Sequence, residues 1–207
     1  MKKLLALTLA VLMLAGMAAC AKAPAADTAS DLAYIQQKGT LVVGITDFAP
    51  MDYQDASGEW IGFDADMAKL VAEKLGVEIQ FVEIEWDNKV MELDGKTIDV
   101  VWNGMTLTDE VTSSMACSNA YCNNAQVVIL PADKAANYGT VDSLSVLRFA
   151  VESGSAGMAQ AEEKGLTYTD VVDQATALLE VKSGTADAAI IDSLLAGASV
   201  GEGTNYA

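Results

Sequence analysis

The sequence predicts an α/β fold built as two successive units, and three observations carry that prediction. Apolar, strand-like runs alternate with stretches of helical spacing through residues 40–102, the pattern of a mostly parallel sheet with crossover helices. The same alternation returns over residues 148–199. Between them, IDVVWNGMTLTDEVTSSMACSNAYCNNAQVVIL at residues 98–130 ends one strand in a Thr-rich polar loop. It then starts another strand after Asn123 and Asn124. A ligand loop at a strand's carboxyl end, beside a crossover between two lobes, has that layout.

The elements follow in order. Residues 1–19 read as a leader, with Lys2 and Lys3 ahead of an apolar middle too short to span a membrane. Its end, Met17-Ala18-Ala19-Cys20, resembles a bacterial lipobox, in which the cysteine becomes the lipidated first residue; an ordinary secretory peptide is the plainer alternative. Residues 20–31 are Ala-rich and aperiodic, a disordered tether. Residues 31–37 suit a short helix with Ser30 as N-cap and Gly39 past its end. Residues 40–45 form the first clear strand, and YQDASG at 53–58 a hairpin turn. The strongest helix runs from Gly62 to Gly76, where Phe63, Met67, Leu70, Val71 and Leu75 share one face. A strand at 77–84, a helix at 86–93 stopped near Gly95 and a strand at 98–102 complete the first unit.

The strand at 125–130 opens the second unit. A short helix capped by Thr140 precedes a strand at 148–152, and Gly154-Ser155 opens a helix to Lys164. A short strand at 166–169 leads to a helix whose face holds Val171, Ala175, Leu178 and Leu179. A strand at 188–191 and a helix at 192–199 end the series.

Composition narrows the chemistry. The chain has 207 residues, enough for one large or two small domains, and 52 % hydrophobic content suits a packed core. A formal charge of −17 argues against nucleic acid or an anionic lipid surface as a direct partner. With no histidine, a Ser-His-Asp triad, a histidine base and His-ligated zinc are excluded. No metal or cofactor site is expected. Cys117 and Cys122 lie close in sequence and in an exported chain either pair or remain half-buried thiols.

The motifs then add up to a resemblance. G-F-D-A-D-M at 62–67 nearly matches the signature of the family 3 extracellular solute-binding proteins, with Ala65 where a larger aliphatic residue is usual. W-D-N-K at 86–89, I-D-V-V-W-N-G-M-T at 98–106, S-N-A-Y at 118–121, G-S-A-G at 154–157 and A-D-A-A-I-I-D at 186–192 resemble the same family in the same order. The likeness covers the chain from about Leu32 onward. It implies a two-lobed, type II periplasmic-binding-protein-like fold, with lobe one at residues 32–124 and lobe two at 125–207, incomplete at the C-terminus. Such proteins are non-enzymatic receptors of ABC importers, mostly for amino acids, that close on ligand like a clamshell. The partners implied are a small solute, a membrane permease and the cell membrane itself, through lipid on Cys20 outside the cytoplasm.

Carried over position by position, the resemblance places the ligand's ammonium at Asp192, beside the Gly104 carbonyl and the Thr106 hydroxyl. Asp192 also fits a helix N-cap. Phe48 and Trp86 match the aromatic plates that hold the ligand side chain. Trp60 and Trp102 read as packing. The N–H groups of Ser155 and Ala156, at a helix start, suit the carboxylate. The family's T-x-x-R motif is broken here: the segment is Thr108-Asp109-Glu110-Val111, so Val111 stands where an arginine clamps that carboxylate. Lys89 is a spare cation near Trp86, but a solvated helix lysine is the simpler reading. Two other functions share the fold. A cyclic dehydratase-like enzyme needs a spaced acid–base pair, which the acids at 64, 66, 83 and 85 do not form. A sensor domain needs a following transmembrane helix.

Overall fold

The computed structural model describes residues 30–201 and 203–207. The leader, Cys20 and the start of the tether lie outside the described residues. Helix α1 (Asp31–Lys38) is the first described element; the Ser30 hydroxyl accepts the Ala33 N–H at 3.3 Å and Gly39 closes the helix in the left-handed region. Strand β1 (Thr40–Ile45) follows, then a hairpin of β2 (Tyr53–Gln54) and β3 (Trp60–Ile61), helix α2 (Phe63–Leu75) and strand β4 (Glu78–Glu83). A 3₁₀ turn, Trp86–Asn88, leads into α3 (Lys89–Asp94), where the sequence predicts one helix. Strand β5 (Val100–Val101) and helix α4 (Asp109–Ser114) end the first unit.

The first sheet is parallel, in the order β4-β1-β5. Strand β5 is shorter than the apolar run implies, because Asp99 takes over its start. The Asp99 carboxylate accepts the Val42 N–H at 2.7 Å and the Lys38 ammonium at 2.6 Å.

Helix α2 corrects an expectation. Its buried side is Asp64, Ala65, Ala68 and Ala72, while Phe63, Met67 and Leu70 are 53 %, 39 % and 50 % exposed. Small side chains bring the helix axis close to the sheet, so the alanine face wins over the bulkier one. Ala68 and Ala72 join Leu41, Val43 and Ile45 in one core, with Trp60 and Trp102 packed at its edge. On the outer side Phe63 stacks on Tyr121, ring centres 6.1 Å apart.

The second unit is a four-stranded sheet in the order β6-β9-β7-β8: β6 (Gln126–Ile129), β7 (Arg148–Glu152), β8 (Thr167–Val171) and β9 (Ala188–Asp192). Only β6 runs antiparallel, paired to β9 so that Gln126 lies opposite Asp192. Helices α5 (Ala156–Glu163), α6 (Gln174–Ser183) and α7 (Ser193–Ser199) cover it. Both central strands are nearly continuous apolar runs, and every residue of β9 is buried, as expected for strands covered on both faces. Residue 171 belongs to β8, and α6 buries Gln174, Ala177, Leu178 and Val181, leaving Leu179 exposed. The predicted face for this helix was therefore rotated. The chain's last residues pair beside residues 130–132, with the Leu130 and Ala207 amides exchanging hydrogen bonds at 2.9 Å. Among the described residues no helix is long and apolar enough to cross a membrane.

Candidate functional site

The carboxyl end of β5 and those of the parallel strands β7 and β9 border a cavity of about 260 Å³. That is where open α/β sheets place ligands. The first unit contributes Trp86, Lys89, the 103–106 loop and the start of α4; the second contributes Glu152, the 154–156 turn, Gln174 and Asp192.

The second unit's wall is anionic. Asp192 ends β9 and is 8 % exposed. Its carboxylate accepts hydrogen bonds from the side-chain amides of Asn124, Gln126 and Gln174, the one from Gln126 at 2.6 Å. It stands at the N-cap position of α7, as expected, but its side chain makes no capping hydrogen bond, because the amides engage both oxygens. Gln174 returns its own carbonyl oxygen to the Asp192 N–H at 2.7 Å and also reaches Glu152 at 3.3 Å. Glu152 is 3 % exposed. Burial pushes its carboxyl up to about 8, the Gln174 hydrogen bond pulls the other way, and the charges of Asp192 and Asp173 add to the rise.

The first unit's wall is aromatic and cationic. Trp86 is buried and faces the cavity. Lys89, expected in solvent, is 4 % exposed. The preceding 3₁₀ turn aims it inward. Its ammonium donates to the Trp86 carbonyl at 3.2 Å and, across the cleft, to the Gly154 carbonyl at 3.0 Å. It also sits 5.1 Å from the centre of the Trp86 ring. Burial lowers its pKa, against the nearby charges of Glu110, Asp87 and Glu152.

The two walls meet at Gly154. Its φ is +66°, and a Cβ there would lie 2.7 Å from the Asp87 Cα. Only a glycine lets these turns touch. Gly104 makes a similar approach to Phe48: its Cβ would lie 2.8 Å from Phe48 Cε1.

Of the expected ligand contacts, Trp86, Gly104, Thr106, Ser155, Ala156 and Asp192 all line the cavity. Phe48 does not. It is 2 % exposed and packed in the cluster that joins the loop after β1 to Ile129 and Leu195 of the second unit. The Thr106 hydroxyl accepts from Asn124 at 3.3 Å. The Ser155 hydroxyl caps α5 by accepting the Met158 N–H, and its own N–H already donates to the Glu152 carbonyl at 3.2 Å. The Ala156 N–H, at the first turn of α5, has no acceptor within the helix. Val111 is 3 % exposed and lines the cavity, held by the Thr108 cap on α4. Cys117 and Cys122 are exposed and unpaired, not half-buried. No group of three or more His, Cys, Asp or Glu residues is placed to hold a metal ion among the described residues.

Residues 41–189 match the model of the bacterial extracellular solute-binding proteins, family 3. The chain belongs to this family. It is 27 % identical over 165 residues to the L-cystine-binding protein TcyJ of Escherichia coli K12, covering 78 % of this chain and 62 % of the relative. It is 30 % identical over 161 residues to a probable amino-acid ABC transporter-binding protein of Haemophilus influenzae, covering 77 % and 62 %. The chain thus spans 62 % of the length of both relatives. Among solved structures it is similar to the arginine-bound form of truncated ArgBP from T. maritima, with a TM-score of 0.79 and 34 % identity over 84 % of this chain and 83 % of that one. The fold is therefore the α/β periplasmic binding protein fold of the family.

Glu152 and Gln174 are among the lining residues that sequence reasoning missed, and Lys89 is one it set aside as solvated. Glu152 had a signal: one acid closing the apolar run F-A-V, directly before a Ser-Gly turn. A carboxylate in an otherwise buried strand is rare without a reason.

Proposed function

We propose that this chain is the substrate-binding component of an ABC importer, capturing an amino acid between lobe one, residues 32–124, and lobe two, residues 125–207. The observation that carries this reading is the braced Asp192 carboxylate facing the cavity. Three amides hold it in place and share its oxygens, so a buried negative charge stands ready for the ammonium of a solute. Trp86 supplies an apolar plate opposite. Relatives whose names give cystine or amino acids as their ligands support the same solute class.

Gly104 and Thr106 sit beside the ammonium position, and Ala156 offers its N–H to the carboxylate. Phe48 backs Gly104 from the core and helps shape the loop. No cofactor enters this function. The lipobox-like Met17-Ala18-Ala19-Cys20 supports a lipid anchor on Cys20, which keeps the receptor beside its permease at the outer face of the cell membrane.

Isothermal calorimetry with the common amino acids and cystine tests the ligand reading. Saturable, one-to-one binding of at least one of them is expected, and none binding refutes it. Cys20→Ala is expected to move the protein from the membrane fraction to the medium; a variant still sedimenting with membranes refutes the anchor.

A further inference from the structure

We propose that Lys89 is the cation that takes the ligand's carboxylate, in place of the arginine that the family pattern puts at position 111. The inference rests on the amino-acid reading of the cleft and adds a residue to it. Position 111 offers only an isopropyl group, 3 % exposed, in the cavity wall. No hydrogen bond or charge comes from there.

The cost of burying Lys89 needs a reason. An ammonium taken out of water is unfavourable unless acceptors or an anion replace its hydration. Its two acceptors are neutral carbonyls, Trp86 and Gly154. An ammonium has three donors, so one remains. No ion pair among the described residues involves Lys89, yet the residue lines the cavity. The third donor is available to a ligand anion.

Position supports the same conclusion. The Gly154 carbonyl is one residue before Ser155 and Ala156, where α5 begins. Lys89 and the free N–H end of that helix therefore border one spot, beside the Trp86 ring that the ammonium also touches. A carboxylate there meets a full positive charge and helix amides together. Glu152 competes weakly for Lys89 near neutral pH, because burial keeps much of its carboxyl protonated. Asp87 and Glu110 are exposed and partly screened by water. The same ammonium holds Gly154, so carboxylate capture and apposition of the two walls share one side chain.

The experiment is calorimetry on wild type, Lys89→Gln and Lys89→Gln/Val111→Arg, using L-arginine, L-glutamine, L-histidine and cystine, each as free acid and as α-carboxamide. Glutamine at position 89 keeps donors for the two carbonyls and drops the charge. Wild type is expected to prefer the free acid, and Lys89→Gln to weaken the acid by roughly 10- to 100-fold while changing the amide by less than about threefold. Val111→Arg on that background is expected to restore the preference for the acid. If Lys89→Gln weakens acid and amide equally, the lysine is a structural latch and the proposal falls. If the acid preference survives in Lys89→Gln, it falls as well. Wild type binding none of the four in either form removes the amino-acid reading itself, a different and separable failure.

Discussion

The wall built by the second unit holds its acids in a web of amides, whereas the wall built by the first holds a lysine against two carbonyls and an indole. Asp192 has three amide donors, one of them, Gln174, locked in turn by the Asp192 N–H. Lys89 has neutral acceptors and a donor in reserve. The first arrangement is braced, since two of the carboxylate's partners, Asn124 and Gln174, are themselves hydrogen-bonded elsewhere. The second already spans the cleft to Gly154 and uses two of the three ammonium donors on neutral carbonyls. Charge is thus held by fixed amides on one side of the cleft, and the contact that spans the cleft comes from the other.

Breaking the braced side is expected to have the largest effect. Asp192→Ala removes the counter-charge of the ammonium and leaves three amides facing an apolar gap. Loss of a buried, hydrogen-bonded charge partner costs about 2–5 kcal/mol or more, so amino-acid binding by calorimetry is expected to vanish. Retention of binding within tenfold of wild type contradicts the assignment of Asp192.

A carboxyl with a raised pKa is common to the two units. Each holds one carboxyl pushed up to about 8: Glu152 in the cleft wall, and wholly buried Asp52 in the first unit, where burial dominates and the charge of Asp64 adds. In the native state both carry a proton that the unfolded chain has already released above its ordinary carboxylate range. The native state therefore binds more protons between about pH 5 and 8, and stability falls as pH rises through that window, by about 1.4 kcal/mol per pH unit for each group fully engaged. Urea melts at pH 5 and pH 8 are expected to show the protein more stable at pH 5. Glu152→Gln and Asp52→Asn are each expected to flatten part of the slope; a pH-independent midpoint for wild type refutes both assignments.

The order of elements was legible in the sequence because it rests on local signals. Ser30 and Thr140 cap where N-caps are expected, the Gly154-Ser155 turn opens its helix, and strands β1 and β7 have the bounds that their apolar runs imply. Trp86, Gly104, Thr106 and Asp192 reach the cleft because their motifs place them at strand ends or in the loops that follow. Lys89 was misread for a physical reason. On a helix wheel it is a polar residue near the start of a short helix, and nothing local states that a 3₁₀ turn rotates it inward or that Gly154 of another unit waits with a carbonyl. Phe48 failed in the opposite sense: an aromatic in a ligand loop is drawn into the core when a glycine, here Gly104, lets it pack that closely.

The smallest effects sharpen the contrast within the first unit itself. Helix α2 buries alanines and exposes Phe63, Met67 and Leu70, although hydrophobicity alone favours the reverse. The geometry decides, because the helix packs against β1 and β4 at a separation that only small side chains fit. Substitutions on the two faces therefore differ in outcome. Ala68→Leu inserts methylenes into a wholly buried position and is expected to cost about 1–3 kcal/mol through overpacking. Leu70→Gln replaces a half-exposed side chain and is expected to change stability by less than about 0.5 kcal/mol, with the first-unit core intact. Thermal or urea melts of the two variants against wild type measure this directly. A destabilisation by Leu70→Gln as large as that by Ala68→Leu means the outer face is covered in the folded protein, and the alanine face is then not what seats the helix.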